Sequence, residues 1–489
     1  MHVKQRIAAL TMVAALSVSL FSACSSSGGK TTSSSGGKTT SSSGGTATAS
    51  TAPQATKEAA TPTKVDTVSI WTGEGHTKDL MTTKVEEFNN TTGKEKGIKI
   101  DYRVYGSDYK KVLDLAIQSG QSPDLFLLVS GKSPYITAGD IIPFEELAGS
   151  ADFLKPYKSY LFEPDNIYQG KTYLLPYALT TVKLVYNKDL FKKAGIVDKS
   201  GNPTPPKTWD EVAKYAKMIS DKGAGKEFGF GLPMKWGGFW PWYIQQMFTS
   251  SVGHMFYDIS KGKYDFTSYK PAMEWLLKIK QDNSYFPGPE GLDNDPARAQ
   301  FSEGKIGMMA SASWDVGVYH DQFPAKIDWG VTDVPVLNPQ VRYKEFAAST
   351  LGLAVGKKAK SIEASKVLEV LKWYHSDTML ANMYEESKYI PYKPEIVKLA
   401  KKEPVKKGWK EFANVSVSAP ARSGPDEFLK VEGDNFKAVM EKIWFGKVSI
   451  DEGLADLDKR YNAAKDKAVS ESKFDPKIYI DPNYNILLK

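Results

Sequence analysis

From Ser25 to about Thr63 the chain carries no apolar residue larger than alanine, which confines any packed fold to residues 65–489. The unit SSSGGKTT repeats there with a period of eight and then frays into Ala, Thr and Pro. Such a tract has no surface to bury against the entropy cost of ordering it. Residues 25–64 therefore read as a flexible linker that holds a folded body away from whatever precedes it.

What precedes it reads as an address. Lys4 and Arg6 give a positive start to an uncharged apolar stretch, Ile7–Phe21. That stretch has the length of a signal-peptide core and is shorter than the roughly 20 residues a spanning helix needs. It ends in Phe21-Ser22-Ala23-Cys24, which resembles a bacterial lipoprotein lipobox, although Phe21 stands where leucine is usual. The resemblance implies a signal peptide over 1–24, lipidation of Cys24 and a place on the extracellular face of the cell membrane; the alternative is an ordinary secretory signal with an incidental cysteine. Cys24 is the only cysteine in 489 residues, so the body has no internal disulfide, no cysteine nucleophile and no thiolate metal site. No later stretch reaches 18 uninterrupted apolar residues, so nothing else is expected to span.

The body is long for one core and suits two lobes. The charges of the whole chain, net +7, are interspersed rather than clustered, which argues against a nucleic-acid partner. The excess is aromatic, with 11 Trp, 25 Tyr and 22 Phe. Alternation predicts strands at 65–71 and 98–104 and a short apolar strand at 123–129, separated by helices at 77–89 and 109–119. This βαβ rhythm predicts an α/β fold on a mainly parallel sheet, with ligand at the carboxyl ends of the strands. Glu74, Asp124 and Ser130 fall near such ends or loops. A second block starts near Tyr173: a strand over 181–187, a helix over 188–194, and Thr208-Trp209-Asp210-Glu211, which has the form of a capping box. Helices near 273–281, 362–375, 435–445 and 451–466 complete it.

Three segments carry a family likeness. Leu175–Leu179, Leu184–Phe191, Ala194–Ile196 and Pro206–Glu211 form the first; Phe301–Met308 with Ser313-Trp314 the second; Gly446–Leu454 the third. In this order they resemble the family 1 extracellular solute-binding proteins, the maltose-binding-protein-like receptors of ABC sugar importers. The resemblance implies two α/β lobes of the periplasmic-binding-protein type, joined by crossing strands and closing on ligand like a hinge. Crossings are expected near Ala178–Thr181, 349–352 and Ser416–Arg422, giving a first lobe of 66–180 plus 352–415 and a second of 181–351 plus 416–489. It further implies a monomer without cofactor, an oligosaccharide ligand, ABC permease subunits as partners, and no catalysis.

A sugar offers apolar C–H faces and a rim of hydroxyls, so its site needs flat aromatic platforms and polar side chains that pair with hydroxyls. Trp236, Phe239, Trp240, Trp242 and Tyr243 crowd one eight-residue stretch with Gly237, Gly238 and Pro241. Trp236 and Trp240 are the expected platforms and their neighbours core. Trp314 matches a family position that lines the cleft, and Asp315 beside it is a candidate hydroxyl acceptor. Glu74 aligns with a loop that contributes a polar contact. Asp124 could bind ligand or cap a turn, Tyr177 precedes the first crossing, and Arg422 could fork onto two hydroxyls or form a salt bridge. Histidines at 2, 76, 254, 320 and 375 show no metal spacing, and HExxH, GxSxG and P-loop motifs are absent. A glycoside hydrolase would share tryptophans and carboxylates, needing two carboxylates about 5–10 Å apart; a binder of peptides, polyamines or metal chelates is the third reading.

Overall fold

A computed structural model describes residues 64–128, 132–163, 165–348 and 352–488. The leader, Cys24, almost all of the linker, Ser130 and most of the expected crossing at 349–352 lie outside the described residues.

The alternating segment Asp66–Thr72 forms a strand that pairs in parallel with Ile98–Val104, Asp66 opposite Ile98, and with Leu125–Leu128. Leu125–Leu128 is buried along its whole length, as a central parallel strand must be. Gly352–Gly356 then joins antiparallel to Leu125–Leu128, and Ile141–Ile142 and Leu175–Pro176 pair with it in turn. Helix Lys78–Asn90 turns Met81, Val85 and Phe88 inward, the i, i+4, i+7 stripe that the sequence shows. Helix Tyr109–Gln118 adds Leu113 to the same core.

The second sheet runs Phe228–Phe230, Ile306–Ala312, Val182–Asn187, Trp329–Thr332. Its central strand, Ile306–Ala312, is buried at all seven positions. Only the Phe228–Phe230 pairing is parallel; Val182–Asn187 runs antiparallel to both neighbours. The expected mainly parallel arrangement thus holds for the first three strands of the first sheet and fails for the second sheet. The reason is topological: Val182–Asn187 and Gly352–Gly356 arrive from the other half of the molecule rather than through a right-handed βαβ crossover.

Local signals in the second half are realised as written. The Thr208 hydroxyl accepts from Glu211 N at 3.2 Å and the Glu211 carboxylate accepts from Thr208 N at 3.2 Å, closing the capping box of helix Trp209–Gly223. This helix lies hard against the strand at Gly229, where a Cβ would sit 2.1 Å from the carbonyl oxygen of Ala216. Further helices are Lys270–Gln281, Ala364–Tyr374, Phe436–Trp444 and Ile450–Ser470. No helix among the described residues is long and apolar enough to cross a membrane.

Two large apolar clusters result. One gathers Val68, Ile70, Phe126, Leu175, Tyr177 and Leu353 around the first sheet, the other Leu184, Trp209, Phe230, Met308 and Trp444 around the second. The chain passes from one to the other between Ala178 and Val182. Here Ala178–Leu179 pairs with Ile390–Pro391, Thr180 bridges Ala348, and Glu345–Ala347 pairs with Ser418–Pro420. Beneath these passes Lys183, fully buried, holds Asp333 at 2.7 Å and Glu345 at 2.6 Å. Burial works to discharge Lys183, but the two carboxylates outweigh it and hold its pKa above the usual lysine value. A third cluster joins Val185, Phe301, Tyr319 and Trp329 to Tyr384, Ile390, Trp409 and Phe412. Tyr384, Ile390, Trp409 and Phe412, which the sequence-based division gives to the first lobe, therefore pack with residues of the second sheet, while Tyr389 and Ile396 between them stay in the first cluster.

Candidate functional site

Beyond the carboxyl end of the first strand, the chain turns at Gly73, where a Cβ would lie 3.0 Å from Cβ of Tyr109 and 3.2 Å from Gly106 O. The turn presents Glu74, whose carboxylate accepts a 2.6 Å hydrogen bond from Tyr389 and lies 3.5 Å from Nδ1 of His76. Behind Tyr389 stand Tyr177 and Tyr374. Tyr177 packs edge-on at 5.3 Å from Tyr389 and 5.2 Å from Tyr374, and its hydroxyl is buried. Burial raises the pKa of all three phenols well above the usual value, so they stay protonated and can donate. His76 is shifted the other way: burial lowers it against the pull of Glu74, and the positive charges of Lys388 and Arg298 push in the same direction. Arg298 belongs to the second half, so its charge is felt at His76. Lys388 also meets Asp321 of the second half at 3.8 Å.

The second wall grows from the end of strand Ile306–Ala312. Trp314 is half-buried and stacks on Trp242 at 5.3 Å and 20°, and Trp242 stacks in turn on Tyr243 at 5.6 Å and 18°. Trp236, also half-buried, meets Trp242 and Tyr243 edge-on. Pro241 explains the local geometry. It has no N–H to give, and Trp242 and Tyr243 both donate to Gly238 O, so Phe239–Tyr243 forms a π-type turn before helix Ile244–Val252. Tyr243 is pinned by its hydroxyl, which donates to Ala310 O at 2.5 Å. Both faces of Trp242 are used, whereas Trp314 ends the stack.

The structure sorts the expected site residues. Glu74, Trp236 and Trp314 sit at partly exposed positions on these walls. Tyr177 lies one ring behind the surface. Asp315 is fully buried; one oxygen accepts from Ala312 N at 3.0 Å and the other is 2.5 Å from Arg298. It is thus a partner of Arg298, not a free acceptor for hydroxyls. Burial works against the charge on Arg298, and Asp315 outweighs it, holding the guanidinium charged. Trp240 is a correction: at 1 % exposed and edge-on to Phe239 at 5.0 Å it belongs to the core, and Trp242 takes the half-exposed place. Asp124 is another. It is buried at the amino end of its strand, where its carboxylate accepts from Ser69 N at 2.8 Å and Ser69 Oγ at 2.5 Å, and it ties two strands together. Arg422 donates to Glu163 O at 3.2 Å, stands 5.1 Å over Phe162 and lies 3.8 Å from Asp165. One nitrogen of its guanidinium is thus taken by the protein backbone, and its charge sits beside a carboxylate. His76, Tyr389, Trp242 and Arg298 were not singled out as ligand-binding residues from the sequence; only Trp242 carried a signal, its place in the aromatic run.

The sequence profile of the bacterial extracellular solute-binding proteins matches residues 74–379. The chain belongs to this family. Among relatives of this solute-binding protein, the maltotriose-binding protein of Pyrococcus abyssi is 27 % identical over 238 residues, 47 % of this chain and 45 % of that protein. The sn-glycerol-3-phosphate-binding periplasmic protein of Brucella abortus is 24 % identical over 287 residues, 54 % of this chain and 60 % of that protein. The maltose/maltodextrin-binding domain from Bdellovibrio bacteriovorus, solved bound to maltotriose, superposes with a TM-score of 0.61 at 19 % identity, covering 83 % of this chain and 100 % of that one. The fold of this solute-binding protein is accordingly the two-lobed, hinged α/β architecture of periplasmic binding proteins.

Proposed function

We propose that this solute-binding protein is a carbohydrate receptor that captures an oligosaccharide between its lobes and delivers it to the permease of an ABC importer. The lobes are 66–180 plus 352–415 and 181–351 plus 416–489, with Tyr384, Ile390, Trp409 and Phe412 of the first reaching the second. The observation that carries the reading is the stack Trp314–Trp242–Tyr243, with two half-buried indoles, in one half, together with the Glu74–Tyr389 pair beyond the carboxyl end of the first strand in the other. An indole face suits the C–H side of a pyranose, and the carboxylate and phenols suit its hydroxyls. The maltotriose-binding relative supports the same ligand class.

The mechanism is capture without chemistry. A ligand touching both walls has greater affinity for the closed form than for the open one, and it shifts the hinge equilibrium by that difference. The closed shape is what the permease reads. The protein acts as a monomer held to the outer face of the membrane by lipid on Cys24, and the 25–64 linker gives it reach. Changing Cys24 to Ser releases the protein into the medium with its affinity for sugar intact; retention on the membrane would remove the anchor.

Calorimetric titration with gluco-, xylo- and manno-oligosaccharides, against peptides, polyamines and sn-glycerol-3-phosphate, tests the class. Heat from one oligosaccharide series and none from the others is expected. Binding confined to the non-sugars overturns the reading, and cleavage of the bound oligosaccharide would make the protein a hydrolase.

A further inference from the structure

Helix Ile244–Val252 ends at Gly253, and the chain then folds into a short hairpin in which Asp258 faces Lys263 and Tyr257 faces Tyr264. The hairpin brings together His254, Asp258 and Asp265. One ring nitrogen of His254 and one carboxylate oxygen from each aspartate all lie within 4.8 Å of one another. The three meet through the fold of the hairpin and not on one helix face, so the sequence, read for helical or finger patterns, shows no metal site here. The bond from Asp265 N to Phe256 O, at 2.7 Å, closes the loop that creates the cluster.

We propose that His254, Asp258 and Asp265 bind a single divalent cation of the Zn2+ class. His254 is 8 % exposed, and its Nδ1 is buried without a hydrogen-bond partner while Nε2 contacts Ser268 Oγ at 3.2 Å. A buried ring with one nitrogen unmatched calls for a partner. Asp258 is itself 7 % exposed, and the cation it now has is the ammonium of Lys261 at 2.7 Å. Two carboxylates against one ammonium leave a net negative charge in a largely buried place, and a divalent ion in its stead would balance them.

An imidazole with two carboxylates is a nitrogen–oxygen donor set that favours zinc over magnesium or calcium. Zinc bonds of about 2.0–2.2 Å put tetrahedral donors about 3.4 Å apart, so donors within 4.8 Å of one another draw together by up to about 1.4 Å on binding, through side-chain rotation. The outer partners already exist. Ser260 N and Oγ donate to one oxygen of Asp258 at 3.0 and 2.5 Å. Ser268 N and Thr267 Oγ1 donate to one oxygen of Asp265, each at 3.1 Å. Tyr269 holds the backbone of His254 through its carbonyl at 2.6 Å. Such outer contacts orient metal ligands and tune their affinity.

Lys261 gives the test its edge, because its side chain is 59 % exposed and only competes for Asp258. The full chain carrying Cys24→Ser, stripped with chelator, is titrated calorimetrically with Zn2+ and then with Mg2+ and Ca2+. One Zn2+ per chain is expected, with no displacement by Mg2+ or Ca2+. His254→Gln and Asp258→Asn are each expected to weaken it about tenfold or more, with circular dichroism confirming their fold. Lys261→Gln is expected to tighten it severalfold, an effect that neither a purely structural hairpin nor a zinc site elsewhere would give. Zn2+ affinity unchanged in His254→Gln, absent from the wild-type chain, or weakened by Lys261→Gln overturns the proposal.

Discussion

The two walls of the candidate cleft are built in opposite ways. The second takes three of its four rings, Trp236, Trp242 and Tyr243, from one short run and adds Trp314 from the end of the central strand. The first assembles Glu74, Tyr177, Tyr374 and Tyr389 from positions up to 315 residues apart. One wall offers faces and the other offers protons and lone pairs. Losing a face removes area and stacking, whereas losing a donor strands a buried partner, and the two kinds of loss differ in measurable ways.

The strongest way to break the contrast is to attack the support of the aromatic wall. Asp315→Ala leaves Arg298 buried beside only Asp295, and a loss of about 3–5 kcal/mol in folding stability is expected from denaturant titration. A small loss would mean that Asp315 is free for ligand after all. The supports of the first wall respond to acid. His375, 2 % exposed behind Tyr177, has its pKa lowered to about 4 by burial. Its folded pKa lies below the unfolded value of about 6.5, so its contribution is complete above pH 6.5 and disappears as the pH falls toward 4. That loss amounts to about 3 kcal/mol. Urea titrations at pH 7 and pH 4 should show it in the wild-type chain and a correspondingly shallower decline in His375→Gln.

The groups proposed to meet the ligand follow. Trp314→Ala should weaken sugar binding tenfold or more, about 1.4 kcal/mol at least, by calorimetry; unchanged affinity removes Trp314 from the site. Tyr389→Phe keeps the ring and removes the bond to Glu74, so a smaller loss of about 1 kcal/mol is expected. An effect larger than that of Trp314→Ala would reverse the ranking of the two walls.

The same contrast explains what could be read from the sequence. Local devices were legible: the Thr208–Glu211 box and the aromatic run at 236–243 were both visible as neighbours in the chain. Which tryptophan of the run faces outward was not. The π-type turn at Pro241 puts Trp242 at the half-exposed place and Trp240 in the core, and periodicity does not register that turn. Asp124 looked like a strand-end ligand because its partner, Ser69, stands 55 residues away. Tyr389 and Arg298 gave no signal for the same reason: their partners are distant in sequence or on another element. The antiparallel entry of Val182–Asn187 and the packing of Tyr384, Ile390, Trp409 and Phe412 with the second sheet likewise belong to the passage of the chain between halves, which local pattern does not encode.

A crystal structure of the protein with the oligosaccharide that gives the strongest calorimetric signal addresses the central claim directly. The account predicts a sugar ring with its C–H face on the Trp314 indole, and the same ligand within hydrogen-bond distance of Glu74 or Tyr389. A ligand held by one lobe alone, with Trp314 untouched, would contradict it.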